Sequence, residues 1–154
     1  MKDASPDQVF LYAVRLLGAR AYPEAALRQK LARKAPLELV EAVIQRVKGL
    51  GYLDDRQYAE GYARLYAGRW GAAKLRRALL EKGVPREIVE EVLTALAAEQ
   101  DPVAEGAALL LRYPGRHRDE KPRAIRFLLN RGYAFTHALA AWELYHEQAE
   151  NPEG

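Results

Sequence analysis

The chain of 154 residues has no cysteine, which excludes a disulfide framework and a thiolate metal site. It has no apolar run of membrane-spanning length and no segment of signal-peptide type. Together with the missing cysteine, this reads as a cytoplasmic protein with no membrane partner. There is no Gly-rich phosphate loop and no nucleophile elbow. Sustained period-two alternation is also missing, so strands are not expected. Glu143 and His146 have Glu-x-x-His spacing, but a carboxylate-bridged metal site needs two such pairs with further glutamates. A solvated helix face is the simpler reading. His117 and His137 have no plausible partners at short spacing. Asp54 and Asp55, adjacent at a helix start, cannot converge on one reacting atom, and they read as a cap and a dipole partner. No catalytic, cofactor-binding or metal-ligating residue is therefore assigned, and an enzyme is not expected.

What is present repeats. Leu31, Leu79 and Leu128 lie 48 and 49 residues apart, each followed three residues on by Lys34, Lys82 or Arg131 and then by Ala35, Gly83 or Gly132. A fixed period of this length indicates an array of similar units. Each unit is so small that an isolated core is marginal, so neighbours are expected to support one another.

Helix signals fill the period. Ser5-Pro6-Asp7-Gln8 reads as a capping box with Pro6 at the first helical position, and Val9, Tyr12, Ala13, Leu16 and Leu17 form the stripe that follows. Pro23 and Pro36 open the next two helices, and Gly51 stops the third. Asp54, with Gln57 three residues on and Leu53 and Tyr58 as a staple, starts a fourth over about 55–67. A fifth runs from Gly71 to Lys82 and stops at Gly83. A sixth starts at Pro85, and a seventh runs from Asp101-Pro102 to Leu111. Tyr113-Pro114-Gly115 reads as a turn. Two more helices are expected near 119–131 and 134–148, with Asn151–Gly154 frayed. The expected fold is all-α: an elongated array of three tandem three-helix units, nine helices in all, at 5–51, 52–100 and 101–150.

The formal charge of +3 carries little by itself, but the bases gather in the middle of each unit. Lys30, Arg33 and Lys34 stand in the first, Arg69, Lys74, Arg77 and Lys82 in the second, and Arg116, Arg118, Lys121, Arg123 and Arg126 in the third. Their recurrence points to a partner-facing surface, with a merely solvated face as the alternative. On a helical wheel Lys74, Arg77 and Lys82 point outward. Arg76, which repeats Arg28, falls among leucines and is expected half-buried and paired with an acid. Arg69-Trp70 reads either as a platform for a base or partner side chain, or as a plug between units. Tyr58, Tyr62 and Tyr66 form a stripe at core or core-edge spacing, or else face a partner.

Leu53-Asp54-Asp55 with Tyr58-Ala59, then Gly71, then Leu79 to Gly83, then Phe127-Leu128 with Arg131-Gly132-Tyr133, resemble the RecX family, bacterial regulators of the recombinase RecA. The resemblance spans roughly residues 7–148 and is strongest at 51–93. It departs at Tyr22, where the family usually has a small hydroxyl cap, and at Ala35, where a repeat glycine is replaced. A monomer is expected, and the resemblance implies a protein that binds the RecA filament on single-stranded DNA, lodging in its groove across neighbouring protomers. It also implies inhibition of ATP hydrolysis, strand exchange and the co-protease function behind the SOS response. The alternative is a helical module acting directly on single- or double-stranded DNA.

Overall fold

The computed structural model describes residues 5–150, and these form ten helices and no strand. In chain order they are α1 (Pro6–Ala19), α2 (Glu24–Ala32), α3 (Leu37–Gly49), α4 (Asp55–Tyr66), α5 (Ala72–Glu81), α6 (Arg86–Ala97), α7 (Pro102–Arg112), α8 (Pro114–His117), α9 (Lys121–Asn130) and α10 (Phe135–Glu150). Nine follow the helix signals of the sequence. The tenth, α8, is a single turn where Pro114-Gly115 reads as a turn alone. The expected fraying of Asn151–Gly154 lies outside the described residues.

The start signals act as read. Ser5 Oγ accepts the Gln8 N–H at 3.2 Å, and the Gln8 side chain accepts the Ser5 N–H at 3.0 Å. Asp54 Oδ1 accepts from the backbone of Arg56 and Gln57 at 3.0 and 3.1 Å, capping α4. Each side-chain cap is worth about 1 kcal/mol.

The chain divides into two compact units. One comprises the residues up to Tyr62 together with Leu79–Val92, and the other Ala63–Ala78 together with the residues from Leu93 on. The first has a core of Val9, Ala13, Leu27, Leu31, Val40, Ile44 and Val47. The second is built on Leu109, Leu110, Leu128, Ala138, Ala141 and Trp142. In it, Gly106 lets α7 approach α10 closely, since a Cβ there would sit 2.7 Å from that of Ala141. The three period-marking leucines, Leu31, Leu79 and Leu128, are at most 1% exposed. Burying a side chain of that size contributes about 1.5–3 kcal/mol, so the period records core positions first.

Candidate partner-binding surface

The Asp54-Asp55 pair divides its labour. Asp54 caps its own helix, while Asp55 reaches α2 and accepts the Glu24 N–H at 2.8 Å. A cap supplied from 31 residues away has no local sequence signal. Burial raises the Asp55 carboxyl above its usual value, and the Glu24 N–H offsets this only in part. Beside it, Lys48 Nζ pairs with Glu24 at 2.8 Å. The hydrogen bond from Lys48, supported by Arg28, holds the Glu24 carboxyl below its usual value against the effect of its own burial. Arg28 bridges two helices through Glu24 at 3.1 Å and Glu41 at 2.5 Å. It is a half-buried, acid-paired arginine, and its repeat counterpart Arg76 is half-buried as well.

The recurrent base after each core leucine has a common setting. Lys34 Nζ lies 5.2 Å from the Tyr12 ring centre, Lys82 Nζ 5.4 Å from that of Tyr62, and the Arg131 guanidinium 5.0 Å from that of Tyr113. In every case a base just after α2, α5 or α9 is tied to an aromatic on or just after α1, α4 or α7. A contact of this type is worth about 0.5–1 kcal/mol at an exposed site. Lys30 similarly lies 5.7 Å over Tyr22, whose other cation, Arg20, is 4.4 Å away.

Trp70 sits inside a stack. Its ring lies 3.9 Å from that of Tyr66 at 7°, and Lys74 Nζ is 4.4 Å from its centre. An ammonium at that distance cannot share the face already taken by Tyr66, so both faces are occupied. Arg69 extends the stack, 5.1 Å over Tyr66, and its side chain donates to the Leu65 carbonyl at 2.9 Å. Trp70 therefore does not present an open face on which a base could stack.

The wheel-based reading of Lys74 also needs correction. Arg77 and Lys82 are exposed, but Lys74 is half-buried, because the turn after α9 covers the start of α5. There Gly71 N–H donates to the Arg131 carbonyl at 2.7 Å and Ala73 N–H to the Gly132 carbonyl at 3.2 Å. The Lys74 Cβ would be 2.5 Å from any Cβ placed on Gly132. Wheel position alone does not register a neighbour that arrives from far along the chain.

In the third triplet Arg116, Arg118, Lys121, Arg123 and Arg126 are all exposed, and Arg123 pairs with Glu120 at 3.0 Å. Exposed too is Arg33 at the end of α2. Tyr58, Tyr62 and Tyr66 are half-buried, as a core-edge stripe should be.

His117 has partners that its sequence neighbourhood does not announce. It is fully buried, and its Nδ1 accepts the Asp119 N–H at 3.0 Å, which leaves Nε2 to donate to the Leu110 carbonyl at 2.8 Å. These two partners fix which ring nitrogen accepts and which donates. The ring holds a turn in which Arg118 and Asp119 both have positive φ, 51° and 58°, a conformation costing roughly 1–2 kcal/mol per non-glycine residue. On α10 Glu143 is exposed and His146 half-buried. Its ring lies 4.2 Å from Trp142, and its Nε2 is 3.3 Å from Asp119 Oδ1, near enough to pair when charged but without hydrogen-bond geometry. Among the described residues no three His, Asp or Glu side chains come together as a metal site would require, and no helix is long and apolar enough to cross a membrane.

The class that the described residues define is an all-helical protein held by caps, ion pairs and cation–ring contacts, with arginines exposed on its surface. The comparisons with known proteins narrow the class. Residues 10–46 match the first three-helix domain of RecX, and residues 54–93 match the second. Regulatory protein RecX from one strain of Thermus thermophilus is 46% identical over 143 residues, covering 93% of this chain and 96% of that protein. Regulatory protein RecX of Deinococcus radiodurans is 34% identical over 152 residues, covering 97% and 72%. The crystal structure of RecX from Lactobacillus salivarius has the same fold, with a TM-score of 0.80 at 18% identity over 92% of this chain and 97% of that one. The chain belongs to the RecX family of regulatory proteins.

Proposed function

We propose that this protein binds the RecA filament on single-stranded DNA and restrains it, inhibiting ATP hydrolysis, strand exchange and co-protease activity. The observation that carries this reading is membership of the RecX family over nearly the whole length of a 46%-identical relative. The surface supports it, since exposed arginines recur at Arg33, Arg77, and Arg116 to Arg126. The three expected repeats, 5–51, 52–100 and 101–150, would each add a weak contact along the filament, and linked weak contacts raise effective concentration. Arginine suits this role because its fork pairs with carboxylate or phosphate in two places at once. The protein acts in the cytoplasm, as a monomer and without chemistry of its own.

The test is RecA-dependent ATP hydrolysis on single-stranded DNA with increasing amounts of this protein. Inhibition is expected below one molecule per recombinase protomer. A demand for equal or greater amounts counts against simultaneous contact with several protomers, and no inhibition at any ratio refutes the function. Salt-sensitive binding to DNA without recombinase, with no effect on ATP hydrolysis, would instead identify a DNA-binding module.

A further inference from the structure

We propose that the outer stripe of α1, with Lys34, forms a docking groove for an acidic protein segment that also carries apolar side chains. The groove has a volume of about 600 Å³ and is lined by Gln8, Leu11, Tyr12, Arg15, Leu16 and Lys34. Its size falls within the ~300–1,000 Å³ of ordinary binding clefts. The five α1 residues are spaced i, i+3, i+4, i+7 and i+8, one continuous face of about two turns.

This face borders the one that α1 buries, since Tyr12 and Leu16 pack against the core at the groove's edge. Val9 and Ala13 are fully buried in the core, while Leu11 is 61% exposed and does not pack against that core. An aliphatic side chain left this open gains by being covered, and a helical stripe of anchors is the usual seat of an amphipathic partner. The charge in the groove selects the partner's sign. Arg15 and Lys34 line it and, among the described residues, no carboxylate does, so an apolar segment with interspersed Asp or Glu is complementary and a basic one is repelled.

A nucleic acid fits less well. Base stacking would need an open aromatic face, yet Lys34 Nζ already stands 5.2 Å over the Tyr12 ring, and the most exposed apolar lining group is the aliphatic Leu11. Phosphate gains nothing from covering leucine.

The proposal rests on the reading of RecA as partner, and the experiment separates the two. In the full chain, Leu11 is replaced by the photo-reactive benzoylphenylalanine, and the protein is irradiated with RecA filament on single-stranded DNA. The expected adduct, located by mass spectrometry, joins Leu11's position to a recombinase segment in which acidic and apolar residues alternate. In parallel, Leu11→Glu and Arg15→Glu are each expected to weaken filament binding about tenfold, the scale of a single interface anchor, with melting temperatures held near the parent's. If the parent binds the filament while the adduct forms on DNA or on a basic segment, or while both variants bind as the parent does, the groove is refuted and the recombinase reading stands. If the parent does not bind the filament, both fall.

Discussion

Replacing Gly71 by alanine should unfold the second compact unit at a markedly lower temperature, and the structure supplies the magnitude. A Cβ at Gly71 would lie 2.4 Å from both the carbonyl carbon and oxygen of Gly132 and 2.6 Å from the Tyr133 nitrogen. Carbon contacts are comfortable only at about 3.5–4.0 Å, so the obstructing atoms must retreat by about 1 Å. They are backbone atoms, and no rotamer change removes them. Moving them disturbs the 2.7 Å bond from Gly71 N–H to the Arg131 carbonyl and the 3.2 Å bond from Ala73 N–H to the Gly132 carbonyl. It also shifts Tyr133, which is 4% exposed. Overpacking of this kind costs about 1–3 kcal/mol, and two backbone hydrogen bonds add about 1 kcal/mol each. The sum, about 3–5 kcal/mol, corresponds to a fall in melting temperature of roughly 6–20 °C for a chain of this size. Thermal melts followed by far-ultraviolet circular dichroism would measure it. Gly61→Ala is the control: it lies within α4 with nothing within 4 Å of its Cβ position, and should be stabilised by about 0.5–1 kcal/mol. A Gly71→Ala melting point within about 2 °C of the parent's would refute the reasoning.

Arg28→Ala should lower stability by about 1–2 kcal/mol, because Glu24 and Glu41 lose a shared partner that is only partly solvent-screened; a melt matching the parent's would show that the bridge is inert. Two carboxylates should give opposite pH signatures. Glu24 is held below its usual 4.5, so its contribution is present above that pH and lost as pH falls, and Glu24→Gln should destabilise at neutral pH with the deficit closing in acid. Glu105, although it accepts from Tyr133 at 3.3 Å, is raised above 4.5 by burial, so the folded state holds its proton more tightly and loses stability as pH rises through the folded value. Glu105→Gln should therefore be as stable as the parent or more so at neutral pH, with the advantage vanishing in acid; melts across pH 3 to 8 that show the two variants behaving alike would overturn both assignments. Arg77→Glu should weaken filament binding with the melt nearly unchanged, since an exposed charge shifts stability by only about 0.5 kcal/mol, whereas Lys74→Glu should lower the melting temperature by breaking the Trp70 stack, and unchanged binding by Arg77→Glu would leave that arginine as solvated surface.

What could be read from the sequence was what is local. The Ser5 and Asp54 caps, the proline starts and the leucine stripes each depend on residues within one helical turn, and they placed nine helices. The features that escaped depend on residues brought together by folding. Asp55 reaches a helix start 31 residues earlier, and His117 meets the Leu110 carbonyl seven residues back and, through a turn of two left-handed residues, the Asp119 N–H. Lys74 is outward on a wheel and half-buried in the structure because the Gly132 turn lies across it. The Arg69-Trp70 pair was visible as a cation beside an aromatic, but composition cannot say which ring faces are occupied, and that decides whether a base can stack there.

The period of leucine, base and glycine can now be explained position by position. The leucine is core. The base is a staple to a ring in its own triplet, so its recurrence alone is not a sign of a binding surface, and the case for partner contact rests instead on Arg33, Arg77 and the third-triplet arginines. The glycine meets two demands at once. Gly83 and Gly132 have φ of +88° and +94°, and each ends its helix with paired bonds: Val84 N–H to the Leu79 carbonyl with Gly83 to Leu80, and Tyr133 to Leu128 with Gly132 to Leu129. This is the Schellman pattern, which favours glycine. Each also presses a Cα face onto the start of a preceding second helix, Gly83 within 2.5 Å of Ala25 and Gly132 within 2.5 Å of Lys74 for an added Cβ. The helix before Ala35 closes differently, with Lys34 and Ala35 N–H groups both directed to the Leu31 carbonyl and with no left-handed residue among them. Alanine is admissible there because the backbone does not ask for glycine, and the same right-handed turn carries Lys34 back over Tyr12, where it becomes one wall of the α1 groove.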